Sequence, residues 1–364
     1  MKKLFNAFIK RLELLPVKII YLKTYVFEWI DVYRKRELYK NVKWSNEQKR
    51  EFDDYWIKNY GKKISPRWHK LYESINGKFD VTYLPDVIYS TVIAPKIIPY
   101  YVGKALCDKS LIEIIAKAAG VEVPTTYLLN SYGFYYDKNR NIVLKKDAAL
   151  LLKNIDDAVI KPTVDGNSGK GIKTTSFNEG SLAEIEKKLD LSVEVNHIVQ
   201  KKINQHETFA RLHPMSINTL RVITYIGENG ISHWPLSMRI GTGKSNVDNI
   251  HAGGLVVGVD DEGNLSETAY FLGHCDSKRN CKVHPDTGIV FKNYKISNVY
   301  DVIRSAEKLH GFFPGIGMIS WDFTVSSSGS PIVIEANIMG QSVWFPQIVN
   351  KKGMSEEMLH FVRK

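Results

Sequence analysis

Asp322, Glu335 and Asn337 are the residues whose types and spacing most directly suggest chemistry. Alternating apolar positions predict two strands, 318–325 and 331–337, joined by a Ser-rich turn at 326–330. Residues two apart on a strand share a face, so Glu335 and Asn337 converge, and Asp322 lies in the partner strand. Two carboxylates and an amide oxygen are hard donors of the kind Mg²⁺ takes, usually completed by water and phosphate. An acid on a strand is more often simply solvated. Here Phe323, Ile332, Val333 and Ile334 imply a mostly buried sheet, in which carboxylates need a partner.

A second group is Val159-Ile160-Lys161-Pro162, followed by Asp165-Gly166-Asn167-Ser168-Gly169-Lys170-Gly171-Ile172. A lysine on a strand beside a loop with three glycines suits phosphate: backbone N–H groups close over the oxygens and ammonium groups neutralise them. It is not the P-loop pattern, and a Gly-rich hairpin turn with solvated lysines reads equally well from these residues alone. His274-Cys275 and Cys281-x-x-His284 suggest zinc, but the spacing of the two cysteines is not that of a usual knuckle.

These residues need elements to position them. A helix is predicted over 108–119, stopped by Gly120, and a strand over 121–129 interrupted by Pro124. A helix near 147–154 leads to the strand 158–161. After the Gly-rich loop come a strand, a helix near 181–189 and the strand 197–200. From about residue 205 the pattern is largely β. Strands 220–226 and 231–240 flank a Gly-Glu-Asn-Gly turn, and another strand covers 255–259. A helix fits 298–310. Residues 1–60 read as helices and 61–100 as irregular, marked by prolines 66, 85, 95 and 99.

The chain has 364 residues, 44% of them hydrophobic and 24% charged, which excludes disorder as the main state. Three cysteines argue against a disulfide framework and fit a reducing cytosol. No apolar run approaches a membrane span, and charges interrupt the first apolar stretches, so no convincing signal peptide is present. The expectation is a soluble intracellular protein.

Most of the net charge of +11 lies in residues 1–50, where thirteen Lys and Arg face five acids. Leu4, Phe5, Phe8, Ile9 and Leu12 recur at helical spacing up to Pro16. Tyr21, Tyr25, Trp29 and Tyr33 then repeat every four residues. A basic, apolar-faced segment suits an anionic membrane surface. It suits docking on the body of the protein, or on a second copy, equally well. No nucleic-acid module accompanies the charge, so nucleic acid is not an expected partner.

The order of the motifs resembles the ATP-grasp superfamily over roughly residues 104–345. A strand lysine and Gly-rich loop precede a linker strand ending Gln200-Lys201-Lys202-Ile203, with Glu207 seven residues after Gln200; an acidic hairpin ending Glu-x-Asn closes the pattern. Asn218-Thr219-Leu220-Arg221, Ser237-Met238-Arg239 and Asp248-Asn249-Ile250-His251-Ala252-Gly253-Gly254 look like the arginine strands and Asn-x-x-x-Gly-Gly loop of the ribosomal-protein glutamate ligases. The runs 213–221, His284-Pro285-Asp286-Thr287-Gly288 and Ile334-Glu335-Ala336-Asn337 resemble the sugar-transfer-associated branch, thought to act in cell-surface polysaccharide biosynthesis.

The resemblance implies an α/β (α+β) ATP-grasp fold, two α/β subdomains clasping ATP behind a mostly helical N-terminal region. The expected divisions are 1–100, 101–204 (phosphate loop) and 205–364 (metal and acceptor). Adenine is expected against Gln200, Lys201 and Ile203, ribose on Glu207, and phosphates on Lys109, Lys161 and Asp165, Gly166, Asn167, Ser168, Gly169 and Gly171. Glu113 stands where many relatives carry a second phosphate-binding base. Asp322, Glu335 and Asn337 are expected to hold one or two Mg²⁺. Arg221, Arg239, Asn249, His251 and the N–H groups of Gly253 and Gly254 are expected at the reacting centre, and His213, Asn218, Gln341 and Trp344 around the acceptor; a structural role for the histidines reads equally well.

The implied activity is carboxylate–amine ligation through an acylphosphate, joining an amine and a sugar-bearing, nucleotide- or lipid-linked precursor. The enzyme is expected in the cytoplasm, peripheral at the inner face of the plasma membrane through residues 1–50. Two rivals remain at this stage: a kinase of the same fold acting on a sugar hydroxyl, and a non-catalytic membrane-surface adaptor.

Overall fold

The computed structural model describes residues 13–164, 171–178, 180–190, 196–273 and 279–363. The expected amphipathic run at 1–12, the phosphate-loop residues Asp165 to Lys170, and the His274-Cys275 half of the zinc reading lie outside the described residues.

The N-terminal part is helical. Helix α1 (Leu15–Arg34) carries Pro16 in its first turn, where a missing N–H costs nothing. Helix α2 (Asn46–Tyr60) opens on a capping box in which Ser45 and Gln48 satisfy each other's backbone N–H. The stretch expected to be irregular contains α3 (Arg67–Asn76), because Trp68, Leu71, Tyr72 and Ile75 form a buried i, i+3, i+4, i+7 stripe. Helical turns, one of them a π turn at Tyr89–Ile93, continue from Asp86 to Ile97 despite Pro95. Helices α4 (Tyr100–Leu106) and α5 (Lys109–Ala119) follow. Asp108 caps α5 by accepting from Ser110 N, and Gly120 ends it in the left-handed region.

A sheet of six strands among the described residues then forms, in the order β3-β2-β1-β6-β4-β5. Its strands are β1 (Thr126–Ser131), β2 (Phe134–Asp137), β3 (Ile142–Val143), β4 (Ala158–Pro162), β5 (Lys173–Thr175) and β6 (His197–Lys201). Helices α6 (Lys145–Leu152) and α7 (Leu182–Asp190) accompany it around a small core of Leu128, Ala148, Leu152, Phe177, Ile185 and Val199. Pro124 delays β1 beyond its predicted start.

The second sheet has eight strands among the described residues, in the order β12-β11-β10-β9-β7-β13-β14, with β8 also on β7. It comprises β7 (Thr219–Gly227), β8 (Gly230–His233), β9 (Leu236–Ile240), β10 (Leu255–Val259), β11 (Leu265–Phe271), β12 (Asn280–Cys281), β13 (Met318–Val325) and β14 (Pro331–Asn337). The strand predicted over 231–240 is two, because Pro235 has no N–H for the ladder. Helices α8 (Val299–His310) and α9 (Trp344–Asn350) pack against this sheet.

One core joins the N-terminal helices to the second sheet, with Trp56, Trp234, Trp321 and Tyr83 fully buried. A polar latch reinforces it: the Gln347 amide accepts from Leu84 N at 2.7 Å and donates to Leu84 O at 3.0 Å. The N-terminal helices are therefore part of the platform beneath the β13–β14 hairpin.

Candidate active site

Strand register assembles the centre of the site. Arg221 on β7 is opposite Asp322 on β13, and Asp322 is opposite Glu335 on β14. The Arg221 guanidinium donates through Nε to Asp322 Oδ1 at 2.5 Å and through Nη2 to Oδ2 at 3.1 Å. Arg239 Nη1 lies 3.6 Å from the same carboxylate, and Asn337 Nδ2 donates to it at 3.3 Å. Burial alone would raise Asp322; Arg221 and Arg239 hold its carboxyl below the ordinary range.

The ladder slips between Asp322 and Phe323, so Ile334 is an extra residue on β14. Its carbonyl accepts from Lys161 Nζ at 3.5 Å. Lys109 Nζ sits 3.0 Å from Glu335 Oε1. The first sheet's lysine and the first residue of α5 thus meet the edge of the second sheet. A second tie fixes this junction: Lys109 N donates to Thr163 O at 2.9 Å, just beyond Lys161. Lys161 is buried, and burial together with Lys109, against the pull of Glu335, lowers its ammonium to about 8.

Among the described residues no three carboxylate, imidazole or thiol groups converge to hold a metal; His274 and Cys275 lie outside them. His284 is instead structural: Nε2 donates to Gly241 O at 2.9 Å and Nδ1 accepts from Asp286 N and Thr287 N. The Asp322, Glu335 and Asn337 set consists of oxygen donors, two of them anionic and in cross-strand register, which fits a hard divalent ion. Lys109 and Arg221 now balance those carboxylates.

The linker residues run along the other side of the junction. Gln200 is buried, and its amide donates to Thr126 Oγ1 at 3.1 Å and Pro124 O at 3.3 Å, so its NH₂ ties the linker to β1 rather than standing free for a base. Lys201 and Glu207 are exposed and Ile203 is half-buried. The linker is pinned to the β13–β14 hairpin through His206 N to Val325 O and Ser327 N to Asn204 O. Glu113, the odd residue on α5, pairs with Lys117 at 2.8 Å and Arg140 at 3.0 Å.

Arg239 is organised by Asp248 and Thr219, neither of which was an expected site residue. Asp248 Oδ1 accepts from Arg239 Nη2 at 3.0 Å, and Thr219 Oγ1 accepts from Nε at 3.1 Å while donating to Asp248. Burial works against the Arg239 charge, but Asp248 and Asp322 hold it protonated. Their signal was the Asp before Asn249 and the Thr two before Arg221.

The 249–254 turn corrects one expectation. Gly253 N donates to Ile250 O at 3.2 Å and Gly254 N to Asn249 O at 3.0 Å, so neither N–H is free to bind an oxyanion. Asn249 likewise caps the turn, its side chain accepting from His251 N at 2.8 Å. Glycine is needed at 254 for fit: a Cβ there would lie 2.5 Å from Asp248 O. His251 is exposed, and its Nδ1–H donates to Gly273 O at 3.1 Å, which leaves Nε2 with the lone pair in the neutral ring.

Three residues expected around the acceptor are scaffold instead. Asn218 is fully buried with both amide atoms engaged: Nδ2 donates to Phe209 O and His213 O, while Oδ1 accepts from Ser216 Oγ and Gly241 N. His213 bonds Ser216 Oγ and Gly243 O. Gln341 accepts from Ser320 Oγ at 2.6 Å and donates to Met318 O and Ile338 O. Each spends its donors on protein partners, which holds the side chain in the scaffold. Trp344 packs on the core under Lys35, whose Nζ stands 5.4 Å from the ring centroid.

Two sheets meeting along an edge lined with lysine, arginine and carboxylate define a protein of the ATP-grasp fold. The chain belongs to the sugar-transfer associated ATP-grasp family, whose model matches residues 90–363, beyond both ends of the motif-bearing stretch. No curated relative matches the sequence. Solved structures similar to it include an ADP complex of N5-carboxyaminoimidazole synthetase from Staphylococcus aureus, at 15% identity and TM-score 0.38 over 66% of this chain and 47% of that one. A D-Ala:D-Ser ligase from Enterococcus faecalis aligns at 14% identity and TM-score 0.39, over 72% of this chain and 62% of that one. An L-amino acid ligase from Bacillus licheniformis aligns at 8% identity and TM-score 0.40, over 73% and 50%. The chain thus spans about half the length of the first and last of these.

Proposed function

We propose that this chain is an ATP-dependent carboxylate–amine ligase acting on a precursor of a capsule or surface polysaccharide. The observation that carries the reading is the meeting of Lys109 and Lys161 with β14, beside the Arg221–Asp322 pair. Cations from one sheet and carboxylates from the other then face a common edge, the arrangement that binds a polyphosphate and balances its charge. The family's association with sugar transfer supports a sugar-bearing acceptor, carried on a nucleotide or a lipid. In this reading the enzyme works in the cytoplasm, at the inner face of the plasma membrane.

Lys161, Lys109 and the 165–171 loop hold the phosphates, the backbone of Lys201 and Ile203 borders the base, and Glu207 takes the ribose. Asp322, Glu335 and Asn337 would hold one or two Mg²⁺, which would supply positive charge against the phosphates. A carboxylate oxygen of the acceptor attacks the γ-phosphorus; the bond to ADP breaks and an acylphosphate forms. Arg221 and Arg239 stabilise the charge on the moving phosphoryl group. The amine nitrogen then attacks the carbonyl carbon and phosphate leaves. Nε2 of His251 is the available base for the ammonium proton.

The test is phosphate release with mass spectrometry on ATP, Mg²⁺, uronic-acid nucleotides or glycans, and a pool of amino acids. Ligation yields free phosphate and an adduct lighter than its reactants by one water. A phosphoester without free phosphate would mark a kinase, and absence of nucleotide binding would mark an adaptor; either overturns the proposal.

A further inference from the structure

Helix α1 is amphipathic in an unusual sense, because both its faces are apolar but only one is covered. Its inner face, with Val17, Tyr21, Glu28 and Val32, packs against α3 and the helical turns at 86–97. The outer face presents Leu15, Ile19, Leu22, Val26 and Ile30, each between 44% and 63% exposed, and Phe27 at 60%. These positions follow one another at three- and four-residue steps, so they form a single stripe along a helix of 20 residues, about 30 Å long. Tyr101 and Val102 of α4 are also exposed; the Tyr101 hydroxyl donates to Glu13 O, which sets them beside the start of α1. An isolated exposed leucine means nothing, but a contiguous stripe marks a surface that something covers.

Charge selects what covers it. Both acids within α1 are committed inward or to a neighbour: Glu28 accepts from Ser90 Oγ at 3.2 Å, and Asp31 is held by Lys35 at 2.6 Å. The exposed charged side chains along the helix, Lys18, Lys23 and Arg34, are all basic. Residues 1–50 carry thirteen basic residues against five acids. A second copy docked on this face would bring two strongly positive segments together, whereas a bilayer with anionic headgroups offers opposite charge at the rim and hydrocarbon beneath. No helix among the described residues is long and apolar enough to cross a membrane, so the geometry is that of a helix lying in the interface.

We infer that α1 docks the protein on an anionic lipid surface, with Leu15, Ile19, Leu22, Val26 and Ile30 buried in the interface and Lys18, Lys23 and Arg34 at headgroup level. This inference stands apart from the chemistry of the site and does not depend on the ligase reading. Its test uses the full chain and flotation on phosphatidylcholine vesicles with and without phosphatidylglycerol. The expected result is binding that requires phosphatidylglycerol, weakens with salt, and falls by about tenfold or more in a Leu22→Asp/Val26→Asp variant. Because both side chains are exposed, circular dichroism and nucleotide binding of that variant stay those of the parent. Failure of the parent to bind, or equal binding by the variant, overturns the inference. So does a parent that sediments as a dimer and a variant that sediments as a monomer, which would assign the stripe to a second copy.

Discussion

Arg221 and Asp322 face each other across adjacent strands as a buried two-point ion pair, Nε to Oδ1 at 2.5 Å and Nη2 to Oδ2 at 3.1 Å. In the proposed reaction the pair joins the residue that stabilises the transferred phosphoryl group to one that would hold the metal. Asp322→Asn therefore has two separable effects. Leaving Arg221 and Arg239 without their shared counter-charge destabilises the fold by roughly 3–5 kcal/mol. Loss of the metal-side carboxylate lowers turnover by about a hundredfold or more, as loss of a preorganised charge does. Urea melts and phosphate release measured below the unfolding transition report them independently. Parental turnover in a destabilised variant would remove Asp322 from the site.

Lys161 gives the nucleotide site a pH limit. With its ammonium lowered to about 8 by burial and Lys109, it is mostly charged at pH 7 and mostly neutral at pH 9. ATP affinity is expected to fall across that interval, and a Lys161→Met variant to bind weakly with no step there. Titration calorimetry from pH 6.5 to 9.5 checks this. The sign for stability is opposite: the unfolded lysine keeps its proton to about 10.4, so between these values the folded state binds fewer protons and this group favours folding as pH rises.

The hairpin and its turn were legible because period-2 alternation and a Gly-containing turn determine them locally; the register of Asp322 with Glu335 was not, because it depends on the bulge at Ile334. The strand carrying Lys161 was legible for the same reason, and the order of the motifs through its resemblance to a known family. What the sequence could not reveal was which polar groups are already used. Asn218, Gln341 and His213 sit in motif positions, yet their partners are carbonyls supplied by distant loops or by the next turn. Gly253 and Gly254 look like N–H donors until the turn that consumes them is seen. The helix α3 was not legible because its short apolar stripe, flanked by prolines at 66 and 85, is stabilised only by the tertiary core.

A carboxyl pair beneath α1 ties stability to pH. Glu28 is raised to about 8, chiefly by burial and then by the Asp86 charge, and burial raises Asp86 to about 6. Tyr72 Oη donates to Asp86 Oδ2 at 2.7 Å, so the pair is embedded in the helical platform. Both folded values exceed the unfolded ones, so the folded state binds more protons. The stability these groups contribute is full below about pH 4 and is lost as pH rises through 6 and 8. Urea midpoints between pH 5 and 8.5 should fall with rising pH, and Glu28→Gln should flatten that fall. A midpoint profile unchanged by Glu28→Gln would show that the pair is not what responds.

His251 and His213 stand in the same motif region but predict opposite phenotypes. His213 is buried and bonded to Ser216 Oγ and Gly243 O, so His213→Ala removes both bonds, leaves a void and lowers stability by about 1–3 kcal/mol. Once folded, such a variant keeps its KM for the amine, because no ring atom is free to touch it. His251 is exposed and spends only Nδ1, on Gly273 O. His251→Ala should leave the melt unchanged while kcat falls by about a hundredfold, the size of a general-base contribution. A parental kcat in His251→Ala would show that the histidine only shapes the turn. Melting curves and amine-saturation kinetics on the two variants separate a histidine that holds the loop from one that acts from it.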